Sequence, residues 1–159
     1  LEDLNKAYRD YPAMHELDVF PEGFEWIDCC DSENSVVTMM RRAKSRPEET
    51  VIVAMNYTPL PRQNYQIGVP HGGRWTEVLN SDAPLYGGSG QGNMGGVDAV
   101  PIPLHGRRWS VTLTIPPLGA VFLIARNEGV EVALDESREA VAEREPAAET
   151  AEESEAPAA

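Results

Sequence analysis

The stretch Trp109-Ser110-Val111-Thr112-Leu113-Thr114-Ile115 alternates apolar and hydroxyl-bearing residues at every step. Successive side chains of a β-strand point to opposite faces, so this alternation predicts a strand with one buried face. A second stretch, Val51-Ile52-Val53-Ala54-Met55, is apolar at every position. Because a strand without a polar face needs cover on both sides, we expect this one at the centre of a sheet.

Five further short runs are rich in β-branched and aromatic residues, and turn-forming segments such as Pro59-Leu60-Pro61 and His71-Gly72-Gly73 separate them. The runs span residues 24–28, 35–42, 65–69, 74–79 and 120–125. Seven strands without helical patterns between them are typical of an antiparallel β-sandwich. We therefore predict an all-β domain over residues 21–126.

The segment before this domain has the spacing of one helical face. Its apolar and aromatic residues are Leu1, Leu4, Ala7, Tyr8 and Tyr11. Pro12 ends the pattern, and a helix of about twelve residues is not stable alone. We interpret residues 1–20 as a unit outside the sandwich that packs on another part of a protein. Without that partner, we expect Leu1, Leu4 and Tyr8 to be exposed or packed in a non-native position.

Residues 81–104 interrupt the strand pattern with six glycines and three prolines. A stretch this long without a strand or helix pattern predicts an ordered loop that is functional or packs on a neighbouring domain. Its Gly90-Gln91-Gly92-Asn93-Met94-Gly95 fits the glycine spacing of dinucleotide-binding loops. Such loops need a helix directly afterwards, and Gly96-Val97-Asp98-Ala99-Val100-Pro101 starts a helix poorly. We interpret these glycines as structural.

The net charge of −13 is concentrated at one end of the chain. Residues 127–159 contain eleven acidic and two basic residues (−9), and the preceding residues contain fifteen acidic and eleven basic ones (−4). The Ala/Glu/Pro-rich end is predicted to be a disordered acidic tail. The body is not basic and has no apolar run of ~20 residues, so we expect neither a nucleic-acid nor a membrane partner.

The two cysteines, Cys29 and Cys30, are adjacent. A disulfide between neighbours is strained, so we expect reduced thiols in a cytoplasmic protein. A metal site with the flanking Asp28 and Asp31, and with His15 and Glu16 upstream, is an alternative, but zinc ligands usually come in pairs two to four residues apart. The favoured interpretation is a strand end with one buried thiol.

Aromatic side chains suggest carbohydrate, because the C–H face of a glucose ring stacks on Trp or Tyr. Trp75 and Tyr86 lie near turns and are the candidate sugar contacts, although packing is the simpler role for both. Trp109 belongs to the alternating strand and is expected in the core. No pair of acidic residues stands in a recognisable catalytic motif, so we assign no catalytic residue.

Several segments resemble, in order, the C-terminal part of bacterial 1,4-α-glucan branching enzymes of the α-amylase superfamily. They are His15-Glu16-Leu17-Asp18, Pro21-Glu22-Gly23-Phe24-Glu25-Trp26-Ile27-Asp28, Val53-Ala54-Met55-Asn56-Tyr57-Thr58-Pro59, Trp75-Thr76-Glu77-Val78-Leu79-Asn80, Tyr86-Gly87-Gly88-Ser89-Gly90 and Ile115-Pro116-Pro117-Leu118. The resemblance runs from Leu4 to Arg126. It implies that residues 1–20 are the end of a (β/α)8 barrel and that 21–126 are the C-terminal β domain.

The resemblance also implies a parent enzyme that cleaves α-1,4-glucan and transfers the segment to a 6-hydroxyl, forming α-1,6 branches. The catalytic carboxylates of that family lie in the barrel, so the piece is expected to be an inactive accessory domain whose partners are the barrel and, through the parent, α-glucan. Neither a metal nor an organic cofactor is implied. Two alternatives stay open: a free-standing carbohydrate-binding sandwich, and the C-terminal domain of another α-amylase-type enzyme.

Overall fold

The structure is a computed structural model, and it describes residues 1–126. Its elements are α1 (Glu2–Asp10), β1 (Phe24–Asp31), β2 (Val36–Arg42), β3 (Glu49–Asn56), β4 (Arg62–Val69), β5 (Gly73–Asn80), β6 (Gly96–Ala99), β7 (Trp109–Ile115) and β8 (Ala120–Arg126). Short 3₁₀ turns lie at Pro12–Met14, Pro21–Gly23 and Pro84–Tyr86. The predicted acidic tail, 127–159, lies outside the described residues.

The strands form two antiparallel sheets, in agreement with the predicted all-β fold. The larger sheet has the order β1-β2-β3-β8-β5-β6, and the smaller sheet pairs β4 with β7. All seven predicted runs are strands. The main core lies between the sheets, where Ile52 and Leu123 of the larger sheet belong to one cluster with Ile67, Val111 and Leu113 of the smaller one.

Strand β3 is buried on both faces, as its continuous apolar sequence predicted. Ile52 and Ala54 belong to the cluster between the sheets. Val51 and Val53 lie on the other face, in a second cluster that includes Ala13 from the N-terminal segment. All four strand residues are at most 1 % exposed.

The alternation in β7 is also confirmed on its apolar side, since Val111, Leu113 and Ile115 are buried. The hydroxyl side is less uniform. Thr112 is exposed, but Ser110 is only 1 % exposed. Val100 pairs with Ser110 through two backbone hydrogen bonds of 2.8 and 3.0 Å, which covers the start of the strand.

The prediction that residues 81–104 form a loop throughout was wrong for Gly96–Ala99, which are strand β6. This strand lies at the edge of the larger sheet, and its pairing runs from Gly73 opposite Ala99 to Thr76 opposite Gly96. Four residues that include a glycine and an aspartate carry too little β-propensity to reveal a strand. The strand forms because its backbone pairs with β5.

Helix α1 forms as predicted, with Leu1, Leu4 and Tyr8 at 94, 39 and 45 % exposure. The residues after it are better anchored than the prediction supposed, because Ala13 is fully buried against the larger sheet. Asp18 also forms an ion pair with Arg41 of β2.

At nine residues, α1 is the longest helix in the part of the chain that the structure describes, well below the ~20 residues that span a membrane.

Candidate functional site

Trp75, one of the two candidate glucan contacts, lies within the core. It is fully buried, and its ring stacks on His71 at 5.0 Å between centroids with 15° between the planes. Its indole N–H donates to the His71 carbonyl at 3.4 Å. Burial also lowers the pKa of His71 below its usual value. Because no part of Trp75 reaches solvent, its ring offers no face to a sugar in this conformation.

Tyr86, the other candidate, lies on the surface in the turn Pro84–Tyr86. Its side chain is 45 % exposed. The hydroxyl donates to Oδ2 of Asp3 at 2.6 Å, and this hydrogen bond raises the pKa of Tyr86. The contact joins the loop to helix α1, while the exposed part of the ring can still meet a ligand.

Among the other aromatic residues of the domain, Trp109 is partly buried against the main core and Trp26 is 49 % exposed. Tyr65 also packs against the core, and its hydroxyl donates to Oδ2 of Asp31 at 2.7 Å. Burial and this hydrogen bond raise the pKa of Tyr65. Tyr65 and Trp109 therefore have packing roles.

The glycine loop, residues 81–95, is folded around the carboxylate of Asp82. The Ser89 amide donates to Oδ1 at 2.9 Å, the Ser89 hydroxyl donates to Oδ2 at 2.6 Å, and the Gln91 amide donates to Oδ2 at 3.2 Å. The hydrogen bond from the Ser89 hydroxyl lowers the pKa of Asp82 most, and the bond from the Ser89 amide lowers it further. A carboxylate that accepts several N–H and O–H bonds can order a loop that has little apolar surface.

Three polar side chains join the far half of this loop to the strands. The Asn93 side-chain amide donates to Oε2 of Glu77 at 2.7 Å and to the Thr114 carbonyl at 3.1 Å. The Thr114 amide donates back to Oδ1 of Asn93 at 2.8 Å. Asn80 donates to the Gln91 carbonyl at 2.8 Å. The loop is thus held to β5 and β7 by side chains.

Two glycines of the loop are required because other atoms approach their backbone closely. One of them, Gly92, belongs to the glycine spacing noted in the sequence. A Cβ at Gly88 would lie 2.2 Å from the backbone oxygen of Asp82, and one at Gly92 would lie 2.2 Å from Nδ2 of Asn80. A side chain at either position would displace the groups that hold the loop. The strand β6 follows, and not a helix, which agrees with the structural interpretation of these glycines.

An open depression of about 400 Å³ lies between the glycine loop and the sheets. Its lining includes Glu77, Asn80, Gln91, Met94 and Thr114. A second depression of about 400 Å³ adjoins it and shares Gly92, Met94 and Thr114. The walls carry carboxylate, amide and hydroxyl groups, which can donate to and accept from sugar hydroxyls.

Met94 is the most exposed side chain beside these depressions. It is fully exposed, and its backbone has a φ of 49°, in the left-handed region. Sequence reasoning missed both Met94 and the polar network because neither belongs to a periodic pattern. The one signal was composition, since a glycine-rich loop that also holds Asn, Asp and Gln has the hydrogen-bonding groups to fold on itself.

The prediction of one buried thiol at the end of β1 was wrong, because Cys29 and Cys30 are both exposed and free. Their Sγ atoms lie 3.6 Å apart. Among residues 1–126, no group of three or more His, Cys, Asp or Glu side chains is placed to hold a metal ion.

Comparison with known proteins gives consistent matches. A family model described as "Alpha amylase, C-terminal all-beta domain" matches residues 26–126. The 1,4-alpha-glucan branching enzyme GlgB of Aromatoleum aromaticum is 58 % identical over 122 residues, which are 77 % of this chain and 19 % of that protein. The GlgB proteins of Aquifex aeolicus and Cereibacter sphaeroides are 50 % identical over 129 residues and 53 % over 121. These alignments cover 81 and 76 % of this chain, and 20 and 16 % of the relatives. The chain spans about a fifth of the length of the curated relatives it matches.

Proposed function

Since the chain belongs to the family of α-amylase C-terminal all-β domains, we propose that it serves as the C-terminal accessory domain of a 1,4-α-glucan branching enzyme. The observation that carries this proposal is the 58 % identity with a branching enzyme over 122 residues. An identity this high over most of the chain favours the branching enzymes over the alternative of another α-amylase-type enzyme.

In this proposal the catalytic groups lie in a barrel that precedes the β domain. The barrel would supply an aspartate that forms a glycosyl-enzyme intermediate and a glutamate that acts first as acid and then as base. The acceptor of the transferred segment is a 6-hydroxyl of α-glucan, whereas in a hydrolase the acceptor is water. The whole enzyme thereby forms α-1,6 branches, and we place it in the cytoplasm.

Residues 1–20 are then the last part of the barrel, and 21–126 form the accessory domain. The support is the exposed apolar surface at the N-terminal end, where Leu1, Val19 and Phe20 are 94, 85 and 54 % exposed. Exposed apolar side chains in this segment are what a surface covered by another part of a protein would leave behind. The barrel is the partner that the proposal assigns to it.

Direct glucan contact by the accessory domain is assigned to Tyr86 and the depression beside the glycine loop. Tyr86 offers a partly open ring, and Asn80 and Gln91 offer amide groups in the adjoining wall. Trp75 could contribute only after a rearrangement that exposes it. Tyr86→Ala should therefore weaken binding of the chain to amylose in affinity electrophoresis. Tyr57→Ala, which removes an exposed tyrosine outside the glycine loop, is the matched control.

The main experiment is to read the coding sequence upstream of Leu1, express the longer protein and incubate it with amylose. We expect new α-1,6 linkages, measured by proton NMR of the anomeric region and by debranching, and no such linkages with the 159-residue chain alone. Reducing ends without branches would favour another α-amylase-type enzyme. A gene without an upstream barrel, together with amylose binding by this chain, would favour a free-standing carbohydrate-binding domain.

A further inference from the structure

Strand β1 carries a bulge that brings the two cysteines together. The register between β1 and β2 shifts so that Cys29 and Cys30 both lie opposite the single residue Val37. In a regular strand, neighbouring side chains point to opposite faces of the sheet, and a bulge interrupts that alternation. The Sγ atoms accordingly lie 3.6 Å apart, in van der Waals contact.

Two hydrogen bonds donated by backbone amides hold this bulge in place. The Cys30 amide donates to Oδ1 of Asp28 at 2.9 Å, and the Ser32 amide donates to the Cys30 carbonyl at 2.8 Å. Both thiols are exposed, and β1 is the last strand at its side of the larger sheet. The pair is therefore preorganised and open to reagents from solvent.

The separation of the sulfurs matches a bridging atom better than a direct bond. A disulfide requires a sulfur–sulfur distance of ~2 Å, whereas the observed distance is 3.6 Å. A soft centre with bonds of ~2.3 Å to each sulfur would bridge that distance with an angle of roughly 100° between the two bonds. Such an angle suits a trivalent pyramidal centre and needs no movement of the strand.

We propose that Cys29 and Cys30 form a two-thiol binding site for thiophilic electrophiles, with monosubstituted trivalent arsenicals as the class that fits. In the reaction both S–H bonds break, two As–S bonds form, and the oxygen of the arsenical leaves as water with the two protons. Arsenic stays trivalent throughout, so no oxidant or reductant takes part.

The surroundings of the pair favour this class over an ion that needs more protein ligands. Within residues 1–126, no third His, Cys, Asp or Glu is placed to complete a metal site. A monosubstituted arsenical already has a carbon as its third substituent, so two thiols complete its coordination. The contact that the two thiols share raises the pKa of the Cys30 thiol, so the proton of this thiol leaves as its bond to arsenic forms.

The test uses phenylarsine oxide and the whole 159-residue chain, whose only cysteines are these two. Intact-mass spectrometry should show one phenylarsenic group per chain, with both thiols protected from iodoacetamide. A dithiol such as 2,3-dimercaptopropanol should remove the group, and an excess of a monothiol should not. Cys29→Ser and Cys30→Ser should each weaken retention by about 100-fold or more, because binding through two linked contacts is lost.

The two serine variants also control for folding, since both side chains are exposed and circular dichroism should be unchanged. Two phenylarsenic groups per chain would overturn the proposal, because each thiol would then act alone. The proposal would also be overturned if either Cys29→Ser or Cys30→Ser retained the arsenical as tightly as the unchanged chain. The outcome is independent of branching activity, so failure here leaves the proposed function untouched.

Discussion

Strand β3 and the glycine loop are both ordered, but by different interactions. In β3, the backbone pairs with a strand on each side, and Val51 to Ala54 are buried on both faces. In the glycine loop, the groups that hold the chain are the side chains of Glu77, Asp82 and Asn93. Burial spreads stabilisation over many atoms, whereas the loop depends on a few polar groups whose loss leaves partners unsatisfied.

The largest expected effect is in the central strand. Ile52→Ala removes a fully buried side chain from the cluster between the sheets, and it should lower the free energy of unfolding by about 2–5 kcal/mol. Urea denaturation measures the change. Leu60→Ala, at a position that is 65 % exposed, should change it by less than about 0.5 kcal/mol. Equal losses in the two variants would contradict the described packing.

The glycine loop should respond strongly to one polar substitution. Asn93→Ala removes two donated hydrogen bonds and leaves the Thr114 amide without its acceptor, so a loss of about 1–3 kcal/mol is expected. Hydrogen exchange should show the loss first at amides of residues 81–95. Gln66→Ala removes an exposed amide side chain outside the loop and should leave this exchange unchanged.

A smaller effect is expected from pH. The lowered pKa of Asp82 means that the folded state favours its carboxylate, so this contribution is present above the usual aspartate pKa of ~3.9. It should be lost as pH falls through the lowered value. The amide signal of Ser89, followed by NMR, should report this transition below pH 4. Asp82→Asn should abolish it, and an unaltered transition in that variant would assign the titration to another group.

The smallest effect concerns the contact between the loop and the helix. Tyr86→Phe removes the hydrogen bond to Asp3, which is exposed to solvent and should contribute little to the free energy of unfolding. Faster amide exchange in α1 with an unchanged unfolding midpoint is the expected result. Tyr57→Phe is the control, because within residues 1–126 the hydrogen-bond partner of that hydroxyl is the sulfur of Met55 at 3.6 Å. If both variants left α1 unchanged, the helix would be held by other contacts alone.

Much of the fold could be predicted from sequence because periodicity reports burial directly. All seven predicted runs are strands, and both faces of β3 are covered as its apolar run required. Strand β6 could not be predicted, because the four residues Gly96–Ala99 are too few for a period to be recognised and depend on pairing with β5. The domain boundary at residue 20, by contrast, stays a prediction.

The candidate site was less predictable, because solvent exposure is decided by packing. Trp75 and Tyr86 both lie near turns in the sequence, yet the first is fully buried and the second is 45 % exposed. The thiol pair shows the same limit, since its geometry depends on a shifted register with β2. A sequence shows which residues are neighbours along the chain. It does not show where a β-bulge shifts the register between two paired strands.

The sequence by itself determined the antiparallel strands, the central position of β3 and the resemblance that the family match supports. These follow from the order of apolar and polar residues, which is local information. Only the tertiary structure decided that Trp75 is core, that Asp82 and Asn93 organise the glycine loop, and that Cys29 and Cys30 face the same side. Each of these depends on side-chain contacts across a loop or between strands, or on strand register, and side-chain period alone specifies none of them.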